Sequence, residues 1–184
     1  MTSQTTPIQA PRIRRLDADE ARAKIPELAE VLIDCVEGGA SVSFMLPIAR
    51  DTTLRFWQGV ADEVALGQRV LLVAEDAAGI TIGTVQMITA QPENQPHRAD
   101  IAKMLVHRRA RRQGVGEALM KAVEAIASEE GKTVLVLDTV TGGAAERLYR
   151  RAGWQRVGDV PGFALMPDGA PCGTTFYYRH VAAS

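Results

Sequence analysis

The sequence predicts an α/β fold, with one mixed and mostly antiparallel sheet of about seven strands and helices on both of its faces. Three observations carry that expectation. Apolar spacing alternates along the chain between helical and strand periods. Strand candidates come as consecutive pairs joined by turns, both in the middle and at the end. A length of 184 residues suits a single core. The domain is expected over residues 12–184, behind a polar tail at residues 1–11 that carries Pro7 and Pro11.

The elements follow in order. Arg12 to Leu16 reads as a short strand. Ile25, Leu28, Ala29, Leu32, Cys35 and Val36 recur at helical spacing, with Pro26 near the start and Gly38-Gly39 at the end. Ala40 to Leu46 is apolar but too short and too rich in small residues to read as a strand. A second helix begins near Asp51, a good cap, and buries Leu54, Trp57, Ala61 and Val64. Val70 to Ala74 and Thr81 to Thr89 form a hairpin about a turn at residues 75–79. A polar loop over residues 91–96 leads to a strand at Asp100 to Val106. A long helix spans Gly114 to Glu129, with Val115, Leu119, Ala122, Val123 and Ile126 as its buried stripe. Thr133 to Leu137 reads as a covered central strand. Ala144 to Ala152 is a short helix stopped by Gly153. Strands near Gln155 to Asp159 and Thr174 to His180 flank a loop holding Pro161-Gly162 and Pro167-Asp168-Gly169.

Composition narrows the function. Apolar residues make up 46% and charged residues 23%, with a net charge of −1. No global field draws the chain to nucleic acid or to a membrane. No segment approaches the ~18 apolar residues of a membrane span. Cys35 and Cys172 neither staple a domain of this size nor show metal-ligand spacing, so no metal is expected and the reducing cytoplasm is the expected location.

The chemistry concentrates at Arg111-Arg112-Gln113-Gly114-Val115-Gly116. A strand ends at Val106, a basic run follows, and two glycines open a helix. Free N–H groups at a helix start, aided by its dipole, make an anion site. Glycine removes Cβ atoms that would hold a phosphate away, and Arg111 and Arg112 offer charge-assisted contacts. The phosphate is not that of a Walker loop, because Glu117-Ala118 stand where Lys-Ser/Thr is required. Nor is it that of a dinucleotide fingerprint, because Leu119 replaces the third glycine. Four arginines lie between 108 and 112, but they lack the interleaved aromatics of a single-strand binder.

The loop resembles the coenzyme A loop of the GNAT acetyltransferase superfamily, Arg/Gln-x-x-Gly-x-Gly/Ala. Val106, Arg111, Gly114 and Gly116 match its longer form, while Arg108 replaces a proline. A second segment, Ala145-Glu146-Arg147-Leu148-Tyr149-Arg150-Arg151-Ala152-Gly153-Trp154, is similar to that superfamily's Ala-x-x-Leu/Phe-Tyr-x-x-x-Gly-Phe. Gly142 stands where many members have asparagine. The resemblance implies acetyl-coenzyme A as co-substrate. Its pyrophosphate would lie on the backbone amides of Gln113, Gly114, Val115 and Gly116, and its pantetheine along Leu105 and Val106, with Ala145 and Tyr149 beside it. It also implies a superfamily fold and acetyl transfer to a primary amine. Residues 37–45, Arg98-Ala99-Asp100, Leu137-Asp138-Thr139 and the Pro161 to Gly169 segment look like those of tabtoxin-resistance acetyltransferases. That likeness implies a small amino-acid-like acceptor and a role in toxin or antibiotic resistance.

Acetyl transfer needs a neutral amine, a donor for the oxyanion and an acid for the leaving thiolate. By its place in the matched segment, Tyr149 is the candidate acid. The alternative is a core tyrosine with its hydroxyl satisfied elsewhere. Asp100, Asp138 and Glu37 are the candidate bases or amine-orienting groups. Asp138 is expected at the exit of its strand, where it could equally cap the next helix. Glu37 stands where the tabtoxin subgroup suggests a histidine, which favours a cationic acceptor. The oxyanion donor is expected from backbone near Leu105 if a bulge opens that strand. Glu37, Phe44, Met45 and Phe163 are the expected lining of the acceptor pocket, with plain core packing as the other role of the apolar three. His97, His107 and His180 are scattered and suggest no hydrolytic triad. Two other functions stay open: an acyl-coenzyme A sensor without catalysis, and a protein acetyltransferase. The terminal hairpin offers an edge on which a second subunit could pair.

Overall fold

The computed structural model describes residues 10–182, so most of the expected tail lies outside the described residues. Seven strands form one sheet in the order β1-β2-β3-β4-β5-β7-β6. They are β1 (Arg12–Leu16), β2 (Arg69–Glu75), β3 (Thr81–Ile88), β4 (Arg98–Val106), β5 (Val134–Val140), β6 (Gln155–Leu165) and β7 (Pro171–His180). The helices are α1 (Ala18–Ala23), α2 (Ile25–Glu37), α3 (Arg50–Ala65), α4 (Val115–Glu129) and α5 (Ala144–Arg151). All neighbouring strands are antiparallel except β4 and β5, which run parallel.

Strand alternation divides the interior into two cores. On one face Leu71 and Val73 of β2 pack with Leu28, Leu32 and Val36 of α2 and with Trp57 and Val60 of α3. On the other, Leu72 and Ala74 join Val85, Met87, Leu119, Val123, Leu135 and Leu137 beneath α4 and α5. Each fully buried leucine stabilises the fold by ~1.5–3 kcal/mol. Helix α4 approaches β3 closely because residue 83 is glycine. A Cβ there would lie 3.0 Å from the Leu105 carbonyl oxygen and 3.1 Å from a Val115 methyl.

Four differences from the sequence expectation have local causes. Helix α1 was not separately expected, and its six residues form because Asp17 and Glu20 cap each other reciprocally. Strand β5 continues to Val140, because residues 134–140 pair with β7 along their whole length. Asp138 therefore lies inside the strand rather than at its exit, and the cap of α5 is Gly143, with no side-chain cap bond. Pro161-Gly162 belongs to β6 rather than a loop, at a register shift between Val160 and Ala164. An outermost strand tolerates that proline because one of its edges needs no ladder partner.

A candidate active site at the split between β4 and β5

Strands β4 and β5 pair only at Arg98–Val134, Ala99–Leu135 and Asp100–Val136. Beyond these pairs the parallel neighbours part, and β4 runs on to Val106 without β5 beside it. Within that free stretch the strand carries a bulge. Its register on β3 shifts between Gln86–Ala102 and Thr84–Leu105, so one extra residue stands on the β4 side. Lys103 takes the left-handed conformation there, at φ 49°. The bulge sits where the oxyanion donor is expected, next to Leu105. Leu105 itself is buried against the α2–α3 core, and the Val106 carbonyl accepts a 3.3 Å bond from Arg111 Nε.

After β4 the chain makes a 3₁₀ turn at residues 108–110 and enters α4 through two left-handed residues, Arg112 at φ 62° and Gly114 at φ 79°. No side chain caps α4, and Ala118 is the first of its residues whose N–H reaches a carbonyl, that of Gly114. The amides of Val115, Gly116 and Glu117 therefore stay open for an anion, as the helix dipole favours. The two glycines serve different ends. Gly114 has open space around it and supplies the positive φ. At Gly116 a Cβ would come within 3.2 Å of a Leu148 methyl and 3.7 Å of Met104 Sδ, so this glycine admits α5 and β4 as close neighbours. Of the two expected arginines, Arg111 turns back to its own strand and Arg112 is exposed. A shallow groove runs from Gln113 and Gly114 past Glu117 and Lys121 to Ala10 and Pro11. Backbone amides and an open helix start thus fit a polyphosphate without any required side chain.

Tyr149 of α5 is buried among Trp154 and Tyr177, with ring centroids 6.1 and 6.0 Å away. Its hydroxyl makes no hydrogen bond with a described residue, yet it is not among the fully enclosed unpaired atoms. Burial, reinforced by the negative charge of Asp138, pushes the phenol well above its ordinary range. It is therefore protonated at neutral pH, which a general acid requires. Ala145 packs beside it at the edge of the same core.

The carboxylates fall in three places. Asp138 faces the α2–α3 side of the sheet, opposite to buried Leu137, and its charge reaches both Tyr149 and Lys103. Asp100 is bonded on both oxygens, by Arg98 and by Gln91 at 3.0 Å. Glu37 ends α2, 3.8 Å from Arg108 Nη2, while Asp34 holds the same arginine at 2.9 Å. The structure thus ties Glu37 to the turn after β4.

The expected pocket residues surround the α2–α3 connection and the β6–β7 hairpin. Phe44 packs edge-on against Phe56 at 5.3 Å, and Phe163 against Phe176 at 5.6 Å. Met45 and Phe163 are exposed. The connection is fastened to the hairpin by Ser41 Oγ donating to the Leu165 carbonyl at 2.7 Å and Leu46 N–H to the Pro167 carbonyl at 2.9 Å. Lys103, Ser43, Phe56 and Phe176 also lie in this region, and the sequence reading did not single them out. A signal existed: Ala99 and Ile101 face one side, yet Met104 and Val106 face that side too, and Lys103 breaks the alternation between them.

Comparison with known proteins agrees with this architecture. The acetyltransferase (GNAT) domain model matches residues 67–156. An uncharacterized N-acetyltransferase from the hisH-hisA intergenic region of Azospirillum brasilense is 31% identical over 114 residues, 61% of this chain and 66% of that protein. The yncA protein of Salmonella typhimurium, solved with its cofactor acetyl-CoA, superposes with a TM-score of 0.76 at 20% identity, covering 96% of each chain. A phosphinothricin acetyltransferase of Sinorhizobium meliloti in complex with acetyl-CoA superposes at 0.74 and 18% identity, covering 95% of this chain and 90% of that one. A ribosomal-protein-alanine N-acetyltransferase of Brucella melitensis does so at 0.77 and 23%, covering 92% and 99%. Among the described residues no helix is long and apolar enough to cross a membrane. The chain has the fold of the GNAT N-acetyltransferases, and its residues 67–156 match that family's acetyltransferase domain.

Proposed function

We propose that the protein transfers the acetyl group of acetyl-coenzyme A to the primary amine of a small, amino-acid-like molecule, directly and without a covalent acetyl-enzyme. The observation that carries this reading is the unpaired, reachable hydroxyl of Tyr149 near the split of β4 from β5, with an open anion-binding helix start on the same strand's continuation. The neutral acceptor nitrogen attacks the thioester carbon and the C–N bond forms. Backbone at the Lys103–Leu105 bulge, freed from the ladder, stabilises the oxyanion. As the C–S bond breaks, Tyr149 gives its proton to the sulfur and regains one from the new amide nitrogen by way of solvent. Asp138 holds the acceptor ammonium and receives its proton through water.

A small acceptor is favoured over a protein because the α2–α3 connection is fastened across to the β6–β7 hairpin, which narrows the way in. The likeness to tabtoxin-resistance enzymes supports the finer reading of an amino-acid-like toxin or antibiotic as acceptor. A second subunit is expected along the free β6 edge, where Val157, Val160 and Leu165 are exposed. Sedimentation reads that association.

Thermal shift with acetyl-coenzyme A, followed by a panel of small amines and peptides scored for free thiol, tests the proposal. Saturating coenzyme should raise Tm by several degrees through linkage, and at least one small amine should release thiol faster than any peptide. No shift, or thiol release by peptides alone, overturns it.

A further inference from the structure

The bulge in β4 does more than open the strand. It throws the Lys103 side chain onto the α2–α3 face, where Nζ donates to Ser43 Oγ at 3.1 Å and lies 5.7 Å from the centre of the Phe56 ring. Ser43 is itself left-handed, at φ 78°, so both partners of this contact are held by uncommon backbone. Several other cations on or beside the sheet are matched by carboxylates. Arg14 and Lys24 meet Glu75, Arg69 meets Glu63, Arg98 meets Asp100, and Arg179 meets Glu124. Lys103 has no carboxylate at ion-pair distance among the described residues. The negative charge that reaches it, Asp138, is not in contact. Burial lowers its proton affinity, Asp138 partly restores it, and Arg69 opposes that restoration. A half-buried ammonium with one of three N–H groups engaged is a costly arrangement unless something anionic completes it.

We infer that Lys103, with Ser43, binds a carboxylate of the acceptor, so that the acceptor is a zwitterion whose amine lies toward Asp138 and Tyr149. This rests on the acetyltransferase reading above and names the substrate class. The pocket then has a positive end on β4 and a negative end on β5, with Phe56 against the ammonium. An amino acid satisfies both ends. A simple amine leaves Lys103 unmatched, and a diamine is repelled by it.

The test uses L-amino acids, each compared with its α-amide and its decarboxylated amine, in wild type, Lys103→Met and Lys103→Arg. Wild type should favour the carboxylated member by about tenfold or more in kcat/KM, mainly through KM, as one charge-assisted contact implies. In Lys103→Met that ratio should fall toward one, with coenzyme affinity unchanged, and Lys103→Arg should keep part of it. A ratio that is flat in wild type, or preserved in Lys103→Met, overturns the inference while leaving turnover intact. Failure of the acetyltransferase reading looks different, with neither coenzyme binding nor turnover. A second measurement does not depend on turnover: calorimetric titration of N-acetyl amino acids and their amides into protein saturated with coenzyme A. The carboxylate forms should bind about tenfold more tightly, and only in wild type. Equal binding, or none by either form, also overturns the inference.

Discussion

The proposed coenzyme side of the cleft comes from one continuous stretch, β4 through α4, whereas the proposed acceptor side gathers residues from β4, β5, α3, α5, the α2–α3 connection and the β6–β7 hairpin. The first side offers mainly backbone: a bulge, an uncapped helix start and a left-handed glycine. The second offers side chains: Lys103, Asp138, Tyr149 and the paired rings of Phe44–Phe56 and Phe163–Phe176. Backbone recognition tolerates side-chain change and punishes conformational change. Side-chain recognition does the reverse.

The largest effect should come from Tyr149→Phe. Loss of the acid should lower kcat by ~10²–10³, while calorimetry finds coenzyme affinity within about threefold of wild type. A parallel loss of coenzyme affinity would break the division. Next is Gly114→Val. A β-branched residue at φ 79° is strained by roughly 1–3 kcal/mol, and coenzyme Kd should rise by about tenfold or more. By contrast, Arg112→Ala should change Kd only about threefold, the gap that marks backbone recognition. Asp138→Asn should then lower kcat/KM by ~10-fold in an acceptor-dependent way, with coenzyme binding kept. An unchanged value would take Asp138 out of the acceptor site.

The smallest effect concerns stability. The folded-state pKa of Lys103 lies below its ordinary 10.5, so the fold binds this proton less tightly than the unfolded chain does. That penalty is fully present below the folded pKa and disappears as pH rises through it to 10.5. Lys103→Met should therefore raise Tm at pH 7, by about 2 °C, and the gain should shrink as pH approaches 10.5. Scanning calorimetry across that range checks the sign.

The same division governed what could be read from the chain. Gly114 and Gly116 stand in sequence beside the open helix start, so the proposed phosphate cradle is legible within one short segment. Gly116 nevertheless proved to serve packing against Leu148 and Met104, a tertiary contact that no local pattern encodes. The case for Tyr149 rests on its segment, and the structure adds its burial and its lack of a hydrogen-bond partner among the described residues. Lys103 was missed because a bulge reverses facing in mid-strand, and strict alternation hid it. Ser43 and Phe176 are separated by most of the fold's length, and only the sheet order brings their elements to one side. The placement of Asp138 depended on how far β5 extends, which its pairing with β7 decides.

The short pairing of β4 with β5 has a mechanical consequence. Three ladder pairs, from Arg98–Val134 to Asp100–Val136, join the four-strand part of the sheet to the three-strand part. A seam this short is expected to act as a hinge between two leaves. Lys103 rides on one leaf and Asp138 on the other, so a small opening at the seam alters the span between the two charges. Whatever binds across both leaves acts as a strut. The order in which the two substrates arrive then decides whether the second one finds a set span or a loose one.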